Sequence, residues 1–338
     1  MDNPELPPTR WHAIVARYQK PDRWVSLWQA ANSIIPFLAL WYVMYLSLGV
    51  SYWLTLLLAI PTAGFMVRTF IIFHDCGHGS FFKSRSGNDI MGFITGILTL
   101  TPYYEWRHTH AVHHATAGDL DRRGTGDVLT LTIAEYKALP WWKKIGYRTM
   151  RNPLIMFTIG SFLVFTVAHR FWRPGAGKRE VWSVIWTDLA LAGIVIVLSL
   201  TIGWKAFVLV EAPVIFIATA VGVWLFYVQH NFDRTYWERH SQWDFFKAGI
   251  NGSSFYKLPG ILQWFTGNIG FHHIHHISPK IPNYKLPECY KENPVFHIQP
   301  LTILTSLKSL GYRLWDEEQK MLVGFKALKQ STKPLKRA

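Results

Sequence analysis

Eight histidines in this chain fall into three short boxes: His74 and His78 in HDCGH, His110, His113 and His114 in HTHAVHH, and His272, His275 and His276 in HHIHH. Residues three and four apart share a helix face, so the rings of one box can be aimed at one point. Crowding imidazoles has no structural reward, because protonated rings repel. Neutral histidine is the commonest metal ligand near neutral pH, and the pattern therefore points to metal binding. Eight ligands exceed what one tetrahedral ion takes, so two ions are implied. His273 lies about 100° around the helix from His272, and His108 falls off the face of His110. Both are expected to be dispensable. No HExxH places a glutamate as the general base of a zinc protease.

Two hairpins of apolar helix are expected to position these boxes. Ala30–Leu48, Tyr52–Phe73, Val181–Ile202 and Ala206–Val228 are almost wholly apolar. At 1.5 Å per residue, each can cross a hydrocarbon core of roughly 30 Å. Gly49–Ser51 and Gly203–Lys205 leave room only for tight turns. The expected fold class is all-α: one polytopic membrane domain over residues 1–338, with four spans and a helical cap formed by 74–180 and 229–325. A basic tail, 326–338, is expected to fray. The first box continues the second span directly. His230, in FYVQHNFD after the fourth span, arrives at the same level and is expected to be a ninth ligand.

Composition fits this reading. Half of the 338 residues are hydrophobic, with 17 Trp, 14 Tyr and 22 Phe, which is unlike a typical soluble enzyme. The formal charge of +14 does not indicate nucleic acid in a chain with several runs of membrane-spanning length; an anionic membrane surface suits it better. Apart from Arg68 and Lys205, every Lys and Arg lies before the first span, in 74–180 or after 230. By the positive-inside rule both termini and all three boxes are expected on the cytoplasmic side of the cell membrane. The region before the first span lacks the pattern of a cleaved signal peptide. Cys76 and Cys289 are the only cysteines and cannot build a disulfide framework.

Other features are weaker. Leu154–Phe171 could just cross a membrane, but a crossing would put the second and third boxes on opposite sides, so an interfacial or partly inserted helix is expected. Trp141, Trp142, Lys143 and Lys144 suit a segment at the headgroups. Arg68 sits near a helix end and can snorkel; Asp188 and Glu211 receive no catalytic role. Asp75, Glu105, Asp119 and Asp121 lie near the boxes and could accept from the outer ring nitrogens of ligating histidines. Asn268, on the face of His272 if the segment is helical, could reach a metal through water.

The boxes HDCGH, HAVHH from His110 and HxxHH from His272 resemble those of the integral-membrane fatty acid desaturases. FYVQHNFD, GSSFYKLP, LQWFTGNIG and HHISPKIPNYKLP resemble the bacterial acyl-lipid delta-5 type. The resemblance covers nearly the whole chain. It implies a di-iron centre held by His74, His78, His110, His113, His114, His272, His275 and His276. Dioxygen is the implied co-substrate, and membrane phospholipid acyl chains are converted to cis-unsaturated ones. Zinc is expected to replace iron in overproduced protein. No Rossmann fingerprint or fused haem domain is visible, so the resemblance implies a ferredoxin or flavodoxin as electron donor. Membrane hydroxylases and carotenoid ketolases share the boxes and form the alternative. A metal transporter or storage protein would instead place ionisable groups at mid-bilayer depth on several helices.

Overall fold

The structure, a computed structural model, describes residues 10–330. The first nine residues and positions 331–338 of the basic tail lie outside the described residues. Ten helices carry the argument: α1 (Arg10–Ala16), α2 (Arg23–Ser47), α3 (Tyr52–His78), α4 (Arg85–Leu98), α5 (Tyr103–Thr116), α6 (Trp141–Met150), α7 (Pro153–Arg170), α8 (Lys178–Leu198), α9 (Trp204–His230) and α10 (His272–Ile277). A small sheet was not foreseen from the pattern. β1 (Leu131–Thr132) runs parallel to β2 (Leu314–Asp316), which pairs antiparallel with β3 (Met321–Val323).

The apolar runs do become helices, and the helices overrun them. α2 starts seven residues before Ala30, at Arg23, because the Asp22 carboxylate accepts from the amides of Trp24 and Val25 at 2.8 and 3.0 Å and caps the first turn. α3 continues through the first box to His78, where Gly79 at φ +65° closes it in the left-handed conformation. α9 likewise runs on to His230. These overruns carry His74, His78 and His230 beyond the apolar stretches.

Contacts at both ends show that the two hairpins stand side by side. At the turn end, Trp41 Nε1 donates to Glu211 Oε2 at 2.6 Å, and Tyr52 Oη donates to the Leu209 carbonyl at 3.5 Å. At the other end, the Tyr104 amide of α5 donates to Ser183 Oγ of α8 at 2.9 Å, while His113 of α5 meets His230 of α9. α8 therefore leaves the cap, a π turn at Ser199–Gly203 reverses the chain, and α9 returns. Trp53 and Leu200, each 82% exposed, stand where lipid would solvate them.

α7 is long and apolar enough to cross a membrane, yet both of its ends are tied to the cap. Just before it, buried Arg151 donates to the Tyr312 carbonyl at 3.3 Å. At its end, Arg170 donates to the Leu100 carbonyl between α4 and α5 and to Asp188 Oδ1 at 2.6 Å. α7 thus enters and leaves on one side, as the meeting of the second and third boxes requires. The same contacts give Asp188 and Glu211 helix-to-helix partners. Arg68 does not snorkel: its guanidinium lies 3.8 Å over the Trp264 ring and donates to the Trp264 carbonyl.

The cap is more integrated than its polarity suggests. Trp11 and Val15 of α1 join Phe255, Phe271, Ile274 and Ile277 in one buried cluster, so the region before the first span braces α10. The tail departs from expectation as well. Residues 327–330 form a short helix, with Leu328 packed beside Phe325.

Cysteine scanning tests the arrangement of the hairpins. Cysteines at Val50 and Lys205 should react with an impermeant maleimide from one face, and a cysteine at Ser86 only from the other. Both native cysteines are buried, which keeps the background low. Labelling of Val50 and Lys205 from opposite faces would rule out two hairpins.

Candidate metal centre

All nine expected histidines converge, and they do so in two sets. His74, His78, His110, His114 and His275 form one; His113, His230, His272 and His276 form the other. Within each set the ring nitrogens lie within 4.8 Å of one another. The second and third boxes do not aim at one point, because each is divided between the sets. Helix geometry explains the division. Residues four apart are offset by about 40° and share a direction, whereas adjacent residues diverge by about 100°. His110 and His114 therefore serve one set while His113 swings to the other; His272 and His276 pair, and His275 crosses over. The sets touch where His114 stacks on His276, ring centroids 4.1 Å apart.

The nitrogen geometry suits a cation in each set. His110, His114 and His275 bring Nε2 atoms to 3.2 and 3.1 Å in one set. In the other, His230 Nε2 lies 3.2 Å from His113 Nε2 and 2.9 Å from His272 Nε2, which is 3.1 Å from that of His276. A tetrahedral ion with bonds of about 2.0–2.1 Å separates its ligands by about 3.3 Å. In neutral rings whose Nδ1 donates to Asp127 or to the Gly252 carbonyl, as at His113 and His230, the facing Nε2 atoms both present lone pairs, which a cation between them would satisfy. His78 Nε2 is buried with no hydrogen-bond partner among the described residues. Burial, reinforced by neighbouring histidines, holds His110, His114, His272, His275 and His276 well below the ordinary imidazole range. They are therefore neutral and have lone pairs to give.

Outer contacts fix several rings. His74 Nδ1 lies 3.2 Å from Asp75 Oδ1. The other Asp75 oxygen accepts from Asn283 N and Nδ2 at 2.7 and 2.8 Å, and Asn283 in turn exchanges bonds with Gln29 of α2. His113 Nδ1 is bonded to Asp127, and His230 Nδ1 faces the Gly252 carbonyl at 3.2 Å. Trp106 stacks on His110 at 4.2 Å. Asp127 was not singled out in the sequence. It follows His113 by fourteen residues, in a loop where Gly126 adopts φ +73° and a Cβ would meet the Thr109 carbonyl at 2.8 Å. A carboxylate behind two closely spaced glycines is the only trace this leaves in the sequence.

The remaining expected partners lie elsewhere. Glu105 accepts from the Arg173 amide at 3.1 Å and sits 3.5 Å from its Nε. Asp119 binds Arg122 Nε at 2.6 Å and His240 Nδ1 at 2.8 Å. Asp121 binds Arg239 Nη1 at 2.7 Å and the His240 amide at 2.9 Å. The His240 amide and then Arg239 hold the Asp121 carboxyl below its usual range. These acids clamp loops of the cap rather than the imidazoles of the two sets. Asn268 is not on a helix with His272: it adopts φ +58°, and its side chain bonds Gln263 and the Asn283 carbonyl. His108 is exposed. His273 points away from both sets, is fully buried and bonds the Phe296 carbonyl at 2.9 Å.

These placements separate binding from support. Asp127→Asn should weaken metal retention by about 10–100-fold, whereas Glu105→Gln should leave it unchanged. His273→Ala should keep full metal content but lose about 1–3 kcal/mol of stability through its orphaned buried partner, and His108→Ala should stay within about 0.5 kcal/mol of the parent. Metal analysis and thermal unfolding of the purified variants are the measurements. Loss of metal in His273→Ala at unchanged stability would reverse the assignment.

Comparison with known proteins agrees with this geometry. Residues 51–298, which include all nine histidines, match the family described as "Fatty acid desaturase". A Bacillus subtilis protein named "Fatty acid desaturase" is 50% identical over 316 residues, covering 93% of this chain and 90% of that one. A Synechocystis "sn-1 acyl-lipid omega-3 desaturase (ferredoxin)" is 30% identical over 233 residues, 64% of this chain and 61% of its own length. An Arabidopsis thaliana "Acyl-lipid omega-3 desaturase (cytochrome b5), endoplasmic reticulum" is 26% identical over 239 residues, 66% of this chain and 59% of the relative. With nine histidines gathered in two metal-ready sets above paired apolar hairpins, this chain belongs to the fatty acid desaturase family.

Proposed function

We propose that the chain, acting as one domain, introduces a cis double bond near the carboxyl end of phospholipid acyl chains, at the delta-5 position. In this reading the reaction uses two irons, dioxygen and an external electron donor. The observation that carries it is a cavity of about 540 Å³ that starts against His74, His110 and His272. It lies between α3, α7 and α9, within the range of ligand-binding pockets. Its walls are mainly apolar, with Val67, Phe70 and Ile71 on α3 and Leu225 and Phe226 on α9.

The five-histidine and four-histidine sets would hold the irons, which supply, with dioxygen, the redox power to take hydrogen from an unactivated methylene. The protein's own part is positional. The apolar walls exclude water and confine the chain, and the edge formed by His74, His110 and His272 sets which methylenes face the centre. Asp75, Asp127 and the Gly252 carbonyl keep three rings turned inward.

The shape of the cavity favours reaction near the carboxyl end. From His74 down to Met66 is eight residues of α3, or about 12 Å, and from His230 to Ala218 is twelve residues of α9, or about 18 Å. Both Met66 and Ala218 line the cavity. Half of a roughly 30 Å hydrocarbon core is about 15 Å, so this deep arm takes most of one acyl chain beyond the histidines. Met150, Ile155 and Val164 line the cavity and are also 40%, 36% and 42% exposed. They give a lipid chain a lateral way in beside α6, whose exposed Trp141 and Trp142 suit the headgroup layer.

The positive-inside asymmetry supports a cytoplasmic cap. The net charge of +14 favours an acidic donor such as a ferredoxin or flavodoxin.

Expression in a host without delta-5 unsaturated lipids, with double bonds located by mass spectrometry, tests the reaction. New delta-5 bonds in phospholipids are expected, and they should vanish in His110→Ala and His272→Ala. Hydroxylated chains in their place would mean a membrane hydroxylase.

Metal identity has its own test. Protein reconstituted with iron should turn over with dioxygen and a reductant, while zinc-loaded protein should be stable and inactive. Turnover by iron-free zinc protein would exclude the di-iron reading.

A further inference from the structure

Glycine inside a helix is unfavourable relative to alanine, and in membrane helices it usually lets a neighbour approach closely. Several glycines here fit that account. A Cβ at Gly64 would come within 2.9 Å of Phe265, one at Gly77 within 2.9 Å of Trp106, and one at Gly92 within 2.2 Å of Tyr103. Gly222 of α9 does not fit it: a Cβ there would meet nothing within 4 Å. No packed neighbour requires this glycine. The open space in front of it is the cavity, which Gly222 lines together with Ala218 and Phe226, one turn to either side.

We infer that Gly222 is the residue that keeps the deep arm of the cavity open and so sets the length of chain accommodated beyond the reacting carbons. This rests on the acyl-chain reading of the cavity. Gly222 lies eight residues before His230, about 12 Å from the histidine level along α9, and opposite it α3 contributes Met66 and Val67. Below Met66 and Ala218 the arm ends, because Ala63, Val214 and Ile215, the next residues down α3 and α9, are buried and do not line it. A side chain at 222 would project into the arm between the histidines and this floor. A chain unable to descend past it would be held higher, which presents carbons nearer its methyl end to the centre or excludes long chains.

The test compares Gly222→Leu and Ala218→Leu with the parent and with Val221→Leu, whose position is 40% exposed on another face of α9. Membranes containing fourteen- and eighteen-carbon phospholipids are the substrate. Parent and Val221→Leu should give the same product profile. Gly222→Leu should lower the eighteen-to-fourteen-carbon product ratio by about tenfold or more, as expected when a pocket loses room for a few methylenes, or should move the double bond toward the methyl end. Ala218→Leu should do so more weakly. Thermal stability and metal content report on folding independently of activity. Gly222→Leu has space for its side chain and should match the parent in both. If it does not accumulate, the ratio in Ala218→Leu decides. An unchanged ratio and bond position in a folded, metal-loaded variant would overturn the inference while leaving the desaturase reading intact. Absence of any desaturation in the parent would instead remove the reading on which it rests.

Discussion

Nine imidazoles from four segments turned toward two points are the constraint to which the rest of this molecule answers. Outer contacts orient three of these rings from behind, and a cation in front would take the converging lone pairs. No single helix can supply this arrangement. α3 gives two rings, α5 three, α9 one and α10 three, so four segments distant in sequence must end at one level. The apolar hairpins bring α3 and α9 there. α5 is fixed through Ser183 and the Asp127 loop, and α10 through the cluster that includes Trp11 and Val15.

Carboxylates are used sparingly around the centre. Asp75 and Asp127 are the acids on box histidines among the described residues, and each touches a different set. The other acids near the boxes work at a distance from the rings. Asp119 and Asp121 tie the loop after α5 to His240 and Arg239, and Arg239 also binds Glu317 at 2.8 Å. These clamps tie loops of the cap together through acids that do not bond the metal-ready rings. Asn283 joins Asp75 to Gln29, so α2, which gives no histidine, is still bonded into the support of the site.

The boxes were legible because rings aimed together from helices leave a periodic trace: the i, i+4 pairs His110/His114 and His272/His276 serve one set each, and His74/His78 join the set of His110/His114. Helical length marked the spans, and a helix running past its apolar stretch explains why His230 could be placed. What escaped the sequence depends on loops and on partners far along the chain. Asp127 reaches His113 only because the chain turns at Gly126, while Glu105, closer in sequence, is drawn off by Arg173. Asn268 fails because the chain is left-handed there instead of helical. His273 differs from its neighbours in angle, but angle alone could not show that it is buried against the Phe296 carbonyl. Similarly, the polarity of the region before the first span concealed an amphipathic α1 whose apolar side is needed by α10.

The path of α7 has a consequence for how such a chain can diverge. Its two ends are bound to the same cap, so the crossings between the second and third boxes remain even in number. Any insertion or loss of a single crossing between these boxes would strand His272, His275 and His276 across the bilayer from their partners. Spans in this part of the chain can therefore be exchanged only as whole hairpins. An odd apolar segment that arises here, like α7, must lie along the surface or dip and return, and its lengthening by mutation is restrained by the ligands on either side.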